Sequence, residues 1–203
     1  MTLPRVIVFD LGKVLLDFDY GRMAARMAGR SGISQEAIHA LIDQSPLLHD
    51  LESGRISSQE FFLTIQARAG YLGDFCRFTR EFGDIFDPIP EMIDLHRKLA
   101  TAGFPTCIFS NTNDLAIAHI RERYPFFNGF TDYVLSYEHG CMKPHAKLYE
   151  VVEETTLFNG VDILYIDDRP ENIEAGATRG WQTILQVNAK TTIDRIRAIG
   201  CLP

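Results

Sequence analysis

Four small groups of polar residues carry the chemistry available to this 203-residue sequence: Asp10, Ser110-Asn111, Lys143 and Asp167-Asp168. Taken singly, each has a local explanation. An Asp or a Ser-Asn after a strand commonly closes a turn or caps a helix. Lys143 beside Pro144 reads as a surface lysine, and Asp167-Asp168 ahead of Arg169-Pro170 reads as a helix start. Together they make a different set. Two carboxylates from separate strand ends can share one Mg²⁺, an ion that keeps several waters and also takes phosphate oxygens. A hydroxyl and backbone N–H groups can hold the other phosphate oxygens. A lysine offsets the repulsion between an anionic nucleophile and an anionic phosphate. An aspartate held this way can attack phosphorus and form an aspartyl-phosphate.

Such a set requires strand ends that meet. Residues 6–9, Val-Ile-Val-Phe, are a short and mostly β-branched run that ends in Asp10, which predicts a strand. Similar runs occur at 105–109, 133–135, 163–166 and 183–186, separated by helical stretches at 89–102, 114–123, 146–155, 171–179 and 192–199. Buried strands alternating with helices predict an α/β, Rossmann-like, doubly wound parallel sheet, a fold that binds ligands at the carboxyl ends of its strands. Residues 18–87 break the rhythm. The segments 20–30, 34–43, 57–69 and 73–82 read as helices, and no buried strand is evident. Ser57 and Glu60 have capping-box spacing ahead of Phe61-Phe62. The expected organisation is a core of residues 1–17 and 88–203, with residues 18–87 inserted as an α-helical cap over the strand ends.

With their flanks, the four groups resemble the motifs of the haloacid dehalogenase-like (HAD) phosphohydrolase superfamily over nearly the whole chain. VIVFDLGKVL at 6–15 is similar to the first motif, CIFSN at 107–111 to the second, GCMKP at 140–144 to the third and ILYIDDRPEN at 163–172 to the fourth, in which Asn172 fills a trailing polar position. Their separations also suit the family: 100 residues from Asp10 to Ser110, then 33 to Lys143, then 25 to Asp168. The long first gap is where subfamily I carries its helical cap. The resemblance implies strand order 3-2-1-4-5, with Asp10 as nucleophile and Lys143 as its catalytic cation. It assigns Gly12, Ser110 and Asn111 to the phosphate, beside which Lys13, not usual in the family, is a further substrate-binding candidate, and it assigns Asp10, the Gly12 carbonyl, Asp168 and a supporting Asp167 to Mg²⁺.

One position departs from the family pattern. A second aspartate usually stands two residues after the nucleophile, as general acid for the leaving group and then base for water. Here that residue is Gly12, and general acid–base help is typically worth about 10²–10⁴-fold in rate. The DLGxVL form resembles a branch typified by bacterial sugar-1-phosphate phosphatases, including an α-glucose-1-phosphate phosphatase, and so do DFDYGR at 17–22 and LESGRIS at 51–57. A hemiacetal leaving group asks less of an acid. Lys13 either reaches the substrate or points to solvent. Asp17 and Asp19 either supply the missing acid or serve as turn and helix-start residues. In the cap, His49, Glu52 and Arg55 are the specificity candidates, weighed against an exposed polar helix end.

The expected function is therefore Mg²⁺-dependent hydrolysis of a small phosphomonoester such as a sugar phosphate, through an aspartyl-phosphate. The rivals are a 2-haloacid dehalogenase, which uses a carboxylate on carbon and needs no metal, and a phosphate-binding regulatory module with weak turnover. Composition restricts the partners. A net charge of −7 argues against nucleic acid or an anionic membrane, which leaves a small phosphorylated metabolite. No apolar run approaches the roughly 20 residues of a bilayer span. Four scattered cysteines without a C-x-x-C pattern, and histidines without metal-ligand spacing, predict neither a disulfide nor a zinc site. A monomer in a reducing cytoplasm is the expected state.

Overall fold

The computed structural model describes residues 2–202. Along them run β1 (Val6–Phe9), β2 (Leu16–Phe18), α1 (Tyr20–Ala28), α2 (Gln35–Ile42), α3 (Pro46–Glu52), α4 (Ser58–Ala69), α5 (Phe75–Gly83), β3 (Phe86–Pro88) and α6 (Pro90–Thr101). Then follow β4 (Thr106–Ser110), α7 (Asp114–Arg123), β5 (Asp132–Leu135), α8 (Ser136–His139), α9 (Ala146–Thr156), β6 (Ile163–Asp167), α10 (Pro170–Thr178), β7 (Gln182–Leu185) and α11 (Ala189–Ile199). Five strands form one parallel sheet in the order β5-β4-β1-β6-β7. Counted along the chain within that sheet, this is 3-2-1-4-5. The running numbers differ because β2 and β3 pair only with each other.

Burial explains the central strand. Every residue of β1 is buried, as a parallel strand covered on both faces must be. Its side chains alternate between two apolar layers. Ile7 and Phe9 join Met92, Leu95 and Leu99 of α6, Ile117 and Ile120 of α7, and Ile196 of α11. Val6 and Val8 join Leu148, Tyr149 and Val152 of α9, and Trp181. The register then places the chemistry. Phe9 pairs with Ile108 on one side and Ile166 on the other, and the Asp10 N–H donates to the Ile166 carbonyl at 2.9 Å. The first residue beyond β1 thus lies beside the last of β6, at the switch point of the sheet.

Between the two crossings of β2 and β3, α1 to α5 surround an apolar cluster of their own that contains Met23, Ile38, Phe61, Phe78 and Phe82. Side chains cap these helices where the sequence offers them: Asp19, Ser34, Ser45 and Asp74 each accept a first-turn N–H, and Ser57 with Glu60 forms the complete capping box. Besides the single-turn α8, two elements go beyond the expected pattern. The helix α3 is only seven residues long, too short for apolar periodicity to reveal, although Ser45-Pro46 is an N-cap followed by a favoured first-turn proline. The β2–β3 ribbon has three residues a strand and sets Asp17 opposite Asp87, so it lacks apolar alternation.

Three contacts tie the start of α4 and the end of α3 to the sheet layer. Ser58 hydrogen-bonds Asp114. Ser136 Oγ donates to the Glu52 carbonyl at 2.5 Å and accepts the Thr112 N–H at 2.9 Å. Gly54 has φ +67°, and a Cβ there would stand 2.2 Å from the Tyr137 carbonyl oxygen. A side chain at Gly54 both strains its own backbone and meets main chain that cannot yield. Gly54→Ala is accordingly expected to cost about 1–3 kcal/mol, read as a lowered Tm by circular dichroism. An unchanged Tm would show that the turn is free to lift off Tyr137.

Candidate active site

The buried ammonium of Lys143 lies at the centre of the strand ends. Its Nζ is 3.0 Å from Asp10 Oδ1, 2.7 Å from Asp167 Oδ2 and 2.8 Å from the Phe109 carbonyl. Asp10, Lys143 and Asp167 are 7%, 5% and 0% exposed. Lys143 is aimed by its own backbone: Asn111 Nδ2 donates to the Lys143 carbonyl at 3.1 Å, and Asn111 Oδ1 accepts the Lys143 N–H at 2.7 Å. Asp10 Oδ1 also accepts the Leu11 N–H at 2.7 Å.

The two acidic residues after β6 differ in their commitments. Asp167 Oδ1 accepts the Arg169 N–H at 2.8 Å and Asn172 Nδ2 at 3.1 Å, while Oδ2 accepts Lys143, Asn172 and the Tyr165 hydroxyl. Both oxygens are filled by protein donors, so Asp167, expected among the metal ligands, is committed to holding Lys143. Asp168 is half-buried and faces an adjoining cavity. One carboxylate oxygen from each of Asp10, Asp167 and Asp168 lies within 4.8 Å of the other two.

Electrostatics show what this cluster lacks. Burial pushes the Asp10 carboxyl up, to about 8, although Lys143 draws it down; the Asp167 and Asp168 charges push it further up. Burial, then Asp167, raises Asp168. For Asp167 burial is outweighed by Lys143 and by the hydrogen bonds from Lys143 and Tyr165, and its pKa falls. Burial opposes the charge on Lys143, but Asp10 and Asp167 keep it protonated. Three carboxyls share one ammonium, and full ionisation would leave two negative charges uncompensated, which is why Asp10 and Asp168 are both held above the usual carboxylate range. That donor set and charge fit a magnesium-like divalent cation, with Asp10 and Asp168 as the carboxylates that have oxygens to offer.

The other expected site residues are placed less directly. Ser110 ends β4 buried, its hydroxyl 3.3 Å from the Asn111 carbonyl. Asn111 lines the cavity, and its side-chain amide is spent at both ends on Lys143, so that amide supports the lysine. Lys13, at φ +56°, lines the cavity with its ammonium folded back: Nζ pairs with Asp17, donates to the Phe18 carbonyl at 3.0 Å and lies 4.6 Å from the centre of the Phe18 ring. The hydrogen bond from Lys13 holds Asp17 below the usual carboxylate range, so Asp17 has no proton to donate. Asp19 caps α1 through Gly21.

Gly12 lines the cavity beside Asp10, and the Phe18 ring occupies the space above it. A Cβ at Gly12 would lie 2.8 Å from Phe18 Cε1. Gly12→Asp therefore does not simply supply the missing acid, because it must first displace Phe18 and the Lys13–Asp17 pair. We expect that variant to lose about 1–3 kcal/mol in a urea melt. Recovery in Gly12→Asp/Phe18→Ala would identify the ring as the obstacle, and an unperturbed single variant would contradict it.

The cavity has a volume of about 600 Å³, the size of a small-molecule site. Asp10, Gly12, Lys143, Asp168 and Arg169 line it from the sheet side, and Tyr20, His39, Asp43, Gln44, His49 and Glu52 from the helical side. Of the three cap candidates, His49 and Glu52 face it. Arg55 pairs with Asp50 at 3.2 Å and does not line it. Sequence reasoning passed over Tyr165, although it stands two residues before Asp167 and so shares its strand face. It also passed over His39 and Asp43, which are spaced one helical turn apart.

Residues 4–180 match the haloacid dehalogenase-like hydrolase family. Among solved structures, a HAD family enzyme from Bacteroides thetaiotaomicron in its magnesium complex superposes with a TM-score of 0.81 at 21% identity, over 96% of this chain and 100% of that one. A predicted HAD-like family hydrolase from Porphyromonas gingivalis gives 0.79 at 22% identity, over 97% and 98%. The L-2-haloacid dehalogenase of Xanthobacter autotrophicus, with chloropropionic acid covalently bound, gives 0.65 at 15% identity, over 98% and 85%.

Proposed function

The chain belongs to the haloacid dehalogenase-like hydrolases, and we propose that within that family it is a Mg²⁺-dependent phosphatase acting on a small phosphomonoester of the sugar phosphate class. The observation that carries this reading is the convergence of Asp10, Asp167 and Asp168 on one point beside Lys143, at the floor of a cavity of small-molecule size. A Bacteroides enzyme of the same fold is also solved with magnesium and inorganic phosphate, which supports the ligand class. We take residues 1–17 and 88–203 as the catalytic core and residues 18–87 as the cap that closes the cavity.

In this reading Asp10 attacks phosphorus in line, with the ester oxygen on the far side, toward the cap. Lys143 keeps its charge against the Asp10 carboxylate and the phosphate. Asp167, Asn172 and Tyr165 hold Lys143 in place. Ser110 and the amides after Asp10 position the phosphoryl group. Asp10, the Gly12 carbonyl and Asp168 would hold Mg²⁺, which on binding draws charge from the phosphate oxygens. The cap wall favours the leaving-group class. It presents Asp43, Gln44 and two histidines, which suit hydroxyls better than a second anionic group. The four cysteines are unpaired, no helix among the described residues is long and apolar enough to cross a membrane, and we assign the protein to the cytoplasm.

The test is a screen of sugar and polyol monophosphates with Mg²⁺ and with a chelator, together with 2-haloacids. The expected outcome is phosphate release that stops on chelation and returns with added Mg²⁺. Chloride release from a haloacid in the presence of chelator, without phosphatase activity, would instead establish the dehalogenase.

A further inference from the structure

We propose that Glu52, at the end of α3, is the proton donor to the leaving oxygen, in place of the aspartate that Gly12 does not supply. This rests on the phosphatase reading. In-line attack by Asp10 places the ester oxygen opposite Asp10, between the floor of the cavity and its cap wall. Three carboxyls line that wall: Asp19, Asp43 and Glu52. Asp19 spends Oδ1 on the Gly21 N–H. Asp43 lies 3.6 Å from His39. The Glu52 side chain, half-buried, makes no hydrogen bond or ion pair among the described residues.

Position separates Glu52 from an ordinary helix-end acid. Its own carbonyl takes the Ser136 hydroxyl, and Ser136 is bonded in turn to the Thr112 backbone just beyond Ser110. Two residues later Gly54 is seated against the Tyr137 carbonyl. The turn that carries Glu52 is therefore fastened to the sheet layer near the phosphate-binding strand ends. A backbone held in this way fixes where the Glu52 side chain starts relative to the strand ends, and acid catalysis requires that placement. The ionisable groups around it are Arg169 from the sheet side, Asp43 after α2, Tyr20 at the start of α1, and His49 one turn back on its own helix. Burial raises the Glu52 carboxyl to about 7, Arg169 opposing and Asp43 assisting, so that near neutral pH it exchanges between acid and base forms, as a residue that both gives and takes a proton must.

The step balances. An Asp10 oxygen forms a bond to phosphorus as the ester P–O bond breaks. The electron pair stays on the ester oxygen, which takes the proton from Glu52 and leaves as the alcohol. The Glu52 carboxylate then takes a proton from the water that attacks phosphorus. The bond from phosphorus to Asp10 breaks, inorganic phosphate departs, and both carboxyl groups return to their starting states.

Glu52→Gln tests this with Mg²⁺ present and two substrates, an alkyl monophosphate with a poor leaving group and 2,4-dinitrophenyl phosphate, whose leaving group needs no proton. For the alkyl ester, kcat/KM is expected to fall by about 10²–10⁴-fold. For the dinitrophenyl ester, kcat/KM should hold while kcat falls, giving a burst of dinitrophenolate equal to the enzyme present. An equal fall in kcat/KM for both esters without a burst overturns the assignment and leaves the phosphatase reading standing. Absence of wild-type turnover on either ester overturns both. Should the variant fail to fold, the wild-type enzyme decides. Its kcat/KM should depend weakly on leaving-group acidity below pH 7 and steeply above pH 8, and a dependence that does not change with pH counts against Glu52.

Discussion

Asp10→Asn is expected to remove phosphatase turnover, by on the order of 10⁴-fold or more, while leaving a folded protein. The amide is too poor a nucleophile to attack phosphorus, yet it matches the carboxyl in shape and can still accept the Leu11 N–H now bonded to Oδ1. Without a metal ion, Asp10 is a strained member of its cluster, its carboxyl raised by burial and by its acidic neighbours. Neutralising it should therefore leave Tm unchanged or slightly higher in chelator, and added Mg²⁺ should stabilise the variant less than the wild type. Steady-state kinetics and paired melts with and without Mg²⁺ check both parts. A variant that turns over at the wild-type rate would remove Asp10 from the mechanism.

Lys143→Met is expected to damage both the fold and the activity. Its ammonium lies between Asp10 and Asp167 with 1% of the side chain exposed. Taking one partner from a buried ion pair leaves uncompensated charge and costs about 3–5 kcal/mol. The sign of the pH dependence follows from the carboxyls. Without Lys143 the Asp167 carboxyl loses the partner that holds it below the ordinary 3.8 and rises above it, and Asp10, already raised by burial, rises further. A raised carboxyl stabilises the fold fully below the unfolded-state value, and that contribution is lost as pH climbs through the folded value. The deficit relative to wild type should therefore be small near pH 4 and large at pH 7 to 8 in urea melts. A deficit independent of pH would mean that lost packing, not unpaired charge, is responsible. Lys143→Arg should not restore activity, because a guanidinium does not fit a point held by three acceptors around one nitrogen.

What the sequence could reveal depended on how local the physics was. Val6 to Phe9 is buried on both faces, so its apolar run marks it as a central strand. The acidic residues at the ends of β1 and β6 are visible because strand, acid and turn are contiguous in the chain. The capping box at Ser57 and Glu60 was legible for the same reason. The β2–β3 ribbon was not, because Asp17 and Asp87 meet only after α1 to α5 have folded between them. Nor could spacing distinguish Asp167 from Asp168 as metal ligands. The difference lies in donors from three other places, Lys143, Asn172 and Tyr165. Nor does the CIFSN motif show that the Asn111 side-chain amide binds the Lys143 peptide, 32 residues away. The cavity wall opposite Asp10 depends on how the helical layer is fastened, through Ser136, Gly54 and Ser58, and no linear pattern encodes that.

The most direct measurement is a crystal structure of the protein grown with Mg²⁺ and beryllofluoride, a stable mimic of a phosphoryl group on a carboxylate. The expected result is beryllium bonded to an Asp10 carboxylate oxygen, and a single ion held by Asp10 and Asp168 with Lys143 alongside. Beryllofluoride attached to another residue, or Asp10 and Asp168 sharing no ion under those conditions, would contradict it.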